Sequence, residues 1–370
     1  MLQLSKKLNK NFFNKRLITS LTLNNLEHNR YVNGQHIYMK KDFCKDKIAS
    51  YLNNNTISIL GYGPQGRSQS LNMIDNNINV ILGLRKDGNS YNKALEDGWI
   101  PNKNLFSIEE AVEKSNIIKY LLSDVGQIKS WDKILPYLNE NKTLYFSHGF
   151  GITYKHLTNI NPPKNIDIIM VAPKGAGISV REKFLNNEGI NCSYAIYQDN
   201  SGDAKKKCIA LAYGFGCDIA YETTFEKETY SDLTGERCVL MGLIQGAFKA
   251  QYDVLIEKGH SPLEAYNETV EEALVSLYPL IADKGMDWLY SNCSTTAQIG
   301  ALNWAPKFEK VLKPVIKQCY NDVTNDKEVN DVIKANSDSK YRENLNKRVN
   351  DIATQDIWIT ARNVKELQNH

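Results

Sequence analysis

The chain has seven cysteines, at 44, 192, 208, 217, 238, 293 and 319, and no Cys-x-x-Cys among them. Thiols scattered in this way form neither a zinc cluster nor a disulfide framework, and they fit a reducing compartment. No stretch of about 18 or more uncharged apolar residues occurs, which leaves no candidate for a membrane-spanning helix. Internal repeats and low-complexity blocks are absent as well. Acidic residues are missing from one place only. Residues 1–26 hold Lys6, Lys7, Lys10, Lys15 and Arg16 with no Asp or Glu. They interleave these bases with Leu2, Leu4, Leu8, Phe12, Phe13, Leu17 and Ile18, the composition of a mitochondrial transit peptide. The apolar residues never form the continuous core of a secretory signal, and the expected destination is the mitochondrial matrix. These five bases account for the net charge of +3; the rest of the chain is at −2. A near-neutral body carries no electrostatic footprint for nucleic acid.

What is present is enough for two domains. The 370 residues are 42% hydrophobic and 24% charged, an ordinary soluble composition with substantial cores. After a polar entry segment and a helix over 41–52, short apolar runs at 56–60, 78–84, 117–122, 143–147 and 167–172 alternate with helical patterns. This predicts a parallel, doubly wound α/β sheet of Rossmann type. It continues through a strand at 193–197, a helix over 203–213 and a last strand at 218–221. Beyond residue 224 only helical periodicities remain, including one long run over 225–257. The expected division is therefore 27–223, a Rossmann-type domain, and 224–370, an all-helical domain.

The first apolar strand ends in Gly61-Tyr62-Gly63-Pro64-Gln65-Gly66, followed by a helix. A lone G-x-G-x-x-G says little, but strand, motif, helix and second strand together form the context that a dinucleotide requires. Gly61 permits the tight turn, Gly63 lets the backbone approach a pyrophosphate, and Gly66 lets helix and strand pack closely. The second strand leads into Arg85 and Lys86, with Ser90 nearby, in place of the acidic residue that grips a free ribose. Two cations and a hydroxyl favour the 2′-phosphate of NADPH.

In the helical half, Asp232 and Glu236 stand four residues apart, on one face of a helix. Glu268 and Glu272 repeat the spacing. The two pairs are expected to face each other across a site, where four carboxylates would repel unless protonated or neutralised by metal. Oxygen-only ligation points to Mg²⁺.

These motifs, with Ser147-His148-Gly149-Phe150, Val171-Ala172-Pro173-Lys174-Gly175, Ser231-Asp232-Leu233-Thr234-Gly235-Glu236-Arg237, Glu268-Thr269-Val270-Glu271-Glu272 and Ser294-Thr295-Thr296-Ala297, resemble the ketol-acid reductoisomerase family. The resemblance covers nearly everything after the basic leader and is closest to fungal-type mitochondrial members. It implies an NADPH- and Mg²⁺-dependent enzyme of valine and isoleucine biosynthesis. Such an enzyme converts 2-acetolactate to 2,3-dihydroxy-3-methylbutanoate, and 2-aceto-2-hydroxybutyrate to 2,3-dihydroxy-3-methylpentanoate, by alkyl migration followed by hydride transfer. It further implies two Mg²⁺ held by Asp232, Glu236, Glu268 and Glu272, the last also handling protons. His148 and Lys174 would be catalytic, and Ser294 would touch substrate. Cofactor contacts would come from Tyr62, Gly63, Pro64, Gln65, Arg85, Lys86, Ser90, Ser123, Asp124, Gln127 and Gly177. The helical domain would be knotted and of the short form, in which a homodimer shares its active sites. Two departures stand out: Pro64, where relatives carry a small residue, and Gln298-Ile299, where bacterial relatives carry Glu-Tyr. The competing readings are a metal-free β-hydroxyacid dehydrogenase and a non-catalytic NADP-binding sensor.

Overall fold

The computed structural model describes residues 30–369, so the basic leader at 1–26 lies outside the described residues. The chain divides into two compact units, one ending at Thr229 and the other beginning at Tyr230. The division falls inside a helix, later than the change of texture near residue 223.

The first unit is built on one ten-stranded sheet. In chain order its elements are β1 (Arg30–Val32), β2 (Gln35–Met39), α1 (Lys45–Asn53), β3 (Ile57–Leu60), α2 (Pro64–Asp75), β4 (Val80–Gly83), α3 (Asn89–Glu96), β5 (Leu105–Phe106), α4 (Ile108–Lys114) and β6 (Ile117–Tyr120). There follow α5 (Asp124–Ile134), β7 (Thr143–Phe146), the single turns α6 (Phe150–Thr153) and α7 (Lys155–Thr158), β8 (Asp167–Pro173), α8 (Gly177–Leu185), β9 (Ile190–Gln198), α9 (Ala204–Gly214) and β10 (Cys217–Glu222). The strand order is β1-β2-β10-β9-β8-β7-β6-β3-β4-β5.

Every residue of β3, β6, β7 and β8 is buried, as strands covered on both faces must be. Side chains alternate between two cores: Ile57, Ile59 and Tyr145 enter one, while Leu60, Leu144 and Phe146 enter the other. From β3 the chain crosses to β4 and then β5 on one side, and from β5 it returns to β6 on the other side of β3. This makes the carboxyl ends of β3 and β6 a topological switch point, where an open α/β sheet collects its ligand.

Six strands, β5-β4-β3-β6-β7-β8, are parallel as expected. Beyond them the sheet is mixed: β9 runs antiparallel to β8, and β10 is parallel to β9. Helix–strand alternation carries no signal of direction, which is why the reversal is not legible. The entry segment read as merely polar is a hairpin, β1–β2, whose β2 pairs antiparallel with β10. Asn33 and Gly34 turn it, both at positive φ, the backbone that an Asn-Gly hairpin demands.

Lys119 is fully buried at the centre of β6. Its ammonium lies 4.5 Å from the Tyr145 ring centroid, 4.9 Å from that of Phe215 and 3.6 Å from the Met73 sulfur. Cation–π contact offsets part of the cost of burial, but burial still pulls the lysine down to about 7.

Among the described residues the second unit is helical throughout. Helix α10 (Phe225–Arg237) straddles the division. The single helix expected over 225–257 is broken: α11 (Gly242–Glu257) starts anew after residues 238–241. A Cβ on Gly242 would lie 2.1 Å from the Arg237 carbonyl oxygen, so the start of α11 packs against the end of α10 at a position that only glycine fills. Helix α12 (Pro262–Tyr266) starts at a Ser261/Glu264 capping box, widens into π-type turns over Asn267–Leu277 and continues as α13 (Tyr278–Lys284). Gly285, at φ +95°, leads into α14 (Met286–Ser291). The remaining helices are α15 (Thr295–Thr324), α16 (Lys327–Ser337), α17 (Tyr341–Ala353) and α18 (Asp356–Gln368). Phe248, Tyr252, Tyr266, Val270 and Ile357 form this unit's small core.

Lys119 generates a prediction with a definite sign. Its pKa falls from 10.5 in the unfolded chain to about 7 in the fold, so the unfolded chain holds the extra proton between those values. Stability therefore rises with pH from about 7 to about 10.5, and the penalty is complete below that window. Lys119→Met is expected to stabilise the protein at pH 7, on the order of a few kcal/mol, and to flatten this pH dependence. Urea denaturation of both proteins at pH 7 and pH 9.5 measures it; equal midpoints at pH 7 would refute it.

Candidate active site

The glycine loop after β3 is fixed by what its glycines touch. Gly61 has φ +98°, and a Cβ there would meet the Leu121 carbonyl oxygen at 2.6 Å, so the loop lies directly against the end of β6. A Cβ on Gly66 would sit 2.2 Å from the Gly61 oxygen, which is the close packing of helix on loop. Gly63 differs: a Cβ there meets nothing within 4 Å. The space above it is open, as backbone facing a pyrophosphate requires. Pro64 takes the first helical position of α2, where its missing N–H is not needed by the helix. The start of α8 packs on this turn, since a Cβ on Gly177 would lie 2.3 Å from the Pro64 carbonyl carbon. Gln65 donates to the Gly175 carbonyl oxygen at 3.2 Å.

Arg85 and Lys86 are exposed beyond the end of β4, and Ser90 is exposed in the first turn of α3. Ser123 caps α5 by accepting from the Gly126 N–H, with Asp124 in the first turn. Gln127 is buried: its amide nitrogen holds the Tyr120 and Leu122 carbonyl oxygens, 3.1 Å each, so it braces the end of β6. Its Oε1 is buried without a hydrogen-bond partner.

His148 and Lys174 follow β7 and β8, neighbouring strands. A residue absent from the sequence reading joins them. Glu228, in the first turns of α10, is 3% exposed. One of its oxygens accepts from the Gly149 N–H and lies 3.1 Å from His148 Nδ1; the other accepts from Lys174 Nζ at 2.9 Å. Gly149 makes the approach possible, because a Cβ there would strike Thr229 Oγ1 at 2.4 Å and the Phe225 oxygen at 2.6 Å. Burial pushes the Glu228 carboxyl up, but the hydrogen bonds and charges of His148 and Lys174 outweigh it and bring it down to about 2. The carboxylate is therefore charged throughout the neutral range. It fixes the ring and tautomer of His148 and draws Lys174 to the same point. The signal was available: Glu228, Asp232 and Glu236 continue the four-residue spacing one turn upstream.

A buried chain of hydrogen bonds ties this turn to the glycine loop. Gln69 donates to Gln65 Oε1 at 3.0 Å and to Ser147 Oγ at 2.9 Å, and Ser147 in turn donates to the Tyr145 hydroxyl at 3.2 Å. The first turns of α2 and the residue before His148 are thus one hydrogen-bonded assembly.

On α10, Asp232 and Glu236 lie one turn apart, and Glu236 is 3.5 Å from Arg237, which also holds Glu328 at 2.7 Å. Glu268 and Glu272 are exposed on the π-type stretch, where Gln251 braces the Glu268 carbonyl oxygen at 3.0 Å. Ser294 caps α15, accepting from the Ala297 N–H at 3.2 Å. Among the described residues, no three carboxylate, His or Cys ligand atoms of the second unit gather within metal-binding reach of one another. Asp232, Glu236, Glu268 and Glu272 thus form no tight three-ligand cluster among the described residues. Helical spacing fixes a face; it does not bring two faces together.

The family model "Acetohydroxy acid isomeroreductase, NADPH-binding domain" matches residues 51–220, and "Ketol-acid reductoisomerase, C-terminal domain" matches residues 225–370. The chain belongs to the ketol-acid reductoisomerase family. It is 48% identical to the mitochondrial ketol-acid reductoisomerase of Saccharomyces cerevisiae over 96% of this chain and 90% of that protein. It is likewise 48% identical to the NAD(+) ketol-acid reductoisomerase of Desulfosudis oleivorans, over 90% of this chain and 95% of that one. Among solved structures it is similar to an NADH-preferring ketol-acid reductoisomerase from an uncultured archean, with a TM-score of 0.79 and 30% identity over 90% of this chain and 98% of that one. As a ketol-acid reductoisomerase the chain is an oxidoreductase enzyme. Glu228 falls in the C-terminal family domain, yet it anchors residues of the NADPH-binding one.

Glu228→Gln keeps the shape but removes the charge between His148 and Lys174. It is expected to lower kcat about a hundredfold, the scale of a misplaced acid–base group, with the Kd for the dinucleotide unchanged. Steady-state kinetics with fluorescence titration of cofactor measure both, and a kcat near that of the wild type would remove Glu228 from the active site.

Proposed function

We propose that this chain is an NADPH- and Mg²⁺-dependent ketol-acid reductoisomerase of the mitochondrial matrix. It converts 2-acetolactate to 2,3-dihydroxy-3-methylbutanoate, and 2-aceto-2-hydroxybutyrate to 2,3-dihydroxy-3-methylpentanoate, in valine and isoleucine biosynthesis. The observation that carries this reading is the Glu228 anchor, which places a histidine and a lysine together at the carboxyl ends of the strands that also present an open glycine loop.

The residues fit the groups they would hold. Gly63 and the start of α2 leave open backbone for a pyrophosphate, and Arg85, Lys86 and Ser90 supply charge and a hydroxyl for a 2′-phosphate. Asp232, Glu236, Glu268 and Glu272 offer only oxygen donors, the set that suits Mg²⁺. Two Mg²⁺ ions supply Lewis acidity to the substrate's ketone and hydroxyl oxygens, and NADPH supplies the hydride. The protein's own residues do the rest. His148, oriented by Glu228, relays protons; Lys174, held by the same carboxylate, stands beside the substrate; Glu272 accepts a proton; Ser294 contacts the substrate. A homodimer with shared sites, as the short-form resemblance implies, is the assembly we favour. The exposed apolar row Trp304, Phe308, Val311 and Val315 on one face of α15, each more than half exposed, supports an interface there. The mitochondrial names of the fungal relatives and the basic leader support the location.

The reading is tested by NADPH oxidation with 2-acetolactate and Mg²⁺. Turnover is expected and should stop with EDTA; activity that survives EDTA would favour a metal-free β-hydroxyacid dehydrogenase, and no turnover at all would favour an NADP-binding sensor. Asp232→Asn is expected to bind NADPH like the wild type and to lose isomerisation, so near-full turnover in that variant would refute the metal role.

Arg85 and Lys86 make a separate claim. Changing both to alanine is expected to raise the KM for NADPH about tenfold or more, the weight of lost charge-assisted hydrogen bonds, while leaving the KM for NADH nearly unchanged. Parallel losses for both cofactors would show that the loop does not read the 2′-phosphate.

A further inference from the structure

Tyr62 stands between the first two glycines of the loop, where a side chain would be expected to face solvent or cofactor, yet it is 3% exposed. It turns beneath the loop. Its hydroxyl donates to Asp97 at 2.8 Å and accepts from the Trp99 indole N–H at 3.0 Å, with the two rings edge-to-face at 6.3 Å. Asp97 also takes two hydrogen bonds from the Arg67 guanidinium, 2.6 and 2.8 Å, across its two oxygens. This fork geometry is the strong form of the ion pair. Arg67 holds the Asp97 carboxyl below its usual range, so the hub is charged at neutral pH.

The position of Asp97 in the chain gives the cluster its meaning. It ends α3, its N–H bonding the Lys93 carbonyl oxygen, and Gly98 at φ +91° carries the chain away. The other end of α3 begins directly after residues 85–88 and contains Ser90. One carboxylate therefore joins three parts: the glycine loop through Tyr62, the first turn of α2 through Arg67, and the helix that starts at the 2′-phosphate loop. Eight residues of α3 span about 12 Å, so Asp97 is out of reach of the phosphate itself.

We propose that Asp97 is a positioning residue that, through Tyr62 and Arg67, locks the glycine loop to helix α3, so that the pyrophosphate and ribose-phosphate halves of the cofactor cradle form one rigid surface. This rests on the dinucleotide reading of the glycine loop. Without the clamp the loop keeps its glycines but not their placement, and part of the binding energy is spent ordering it. The loss appears in cofactor affinity, since neither Asp97 nor the Tyr62 hydroxyl takes part in the chemical step.

The test is a double-mutant cycle on the full chain with Tyr62→Phe, Asp97→Ala and the double variant. The Kd for NADPH and for NADH is measured by fluorescence titration, and kcat at saturating cofactor is measured with 2-acetolactate. Each single variant is expected to weaken the dinucleotide about tenfold, and Asp97→Ala is expected to keep kcat and the KM for 2-acetolactate within about twofold of the wild type. The double variant is expected to lose no more than Asp97→Ala alone, because the two groups act as one device. Independent, multiplying losses, unchanged Kd values, or a fall in kcat with Kd intact would overturn the proposal. Asp97→Asn, which keeps the shape and an acceptor for Tyr62, is expected to fall between wild type and alanine, and it carries the test if the alanine variant fails to fold. If the wild type prefers NADH, the 2′-phosphate reading fails while the clamp is still read from the NADH column.

Discussion

A buried carboxylate is the constraint on which the candidate site depends. Taking Glu228 out of water costs several kcal/mol unless its charge is met, and here it is met from three directions: a backbone N–H after β7, an imidazole and an ammonium. Two of the donors sit on the turn after β7 and the third follows β8, so the compensation exists only when β7, β8 and the start of α10 are all in position. The same requirement works in reverse. Once the fold is complete, none of the three donors can drift without leaving a charge exposed to a low-dielectric interior. That is the physical meaning of preorganisation at His148 and Lys174, and it needs Gly149 to have no side chain.

The sheet transmits this rigidity to the cofactor loop. Gln69 is fully buried, and its amide reaches both Gln65 at the start of α2 and Ser147 beside His148. Burying an amide is costly unless its hydrogen bonds are made, so the loop and the histidine turn hold each other in register. The Asp97 clamp does the same on the loop's other side. Between these two fixed flanks the one glycine with open space above it is Gly63, the position where the backbone must be reachable.

The legible parts of the fold were those whose burial is written as continuous apolar composition. Strands β3, β6, β7 and β8 lie close to where their patterns place them. The hairpin β1–β2 was missed although Asn33-Gly34 announces it, because its strands are half-exposed and too short to show alternation. The reversal at β9 was not legible in any form, since a strand's side chains look the same in either direction. The break at residues 238–241 hides inside an unbroken helical periodicity, and only the contact at Gly242 explains it. At the site, spacing gave Asp232 and Glu236 a common face but stopped one turn short of Glu228. The spacing puts Glu228 on the same face, but nothing in the sequence names its partners, since His148 and Lys174 lie 80 and 54 residues away.

The same electrostatics govern the two carboxylate pairs. Four carboxylates held together in a single chain would each raise the others' affinity for protons and oppose folding of the helices that carry them. Glu268 and Glu272 instead stand exposed in water on a stretch of π-type turns, geometry that is uncommon and tends to occur at functional sites. Under the proposed assembly, each chain folds without that repulsion, and the pairs approach only when a second chain and a divalent cation are both available. The cation then lowers the cost of association as well as serving the reaction. The exposed apolar row on α15 supplies an attraction that does not depend on the metal. Dimer formation and metal loading would thus be linked but separable: apolar contact brings the chains together, and the cation sets how closely the acidic faces approach.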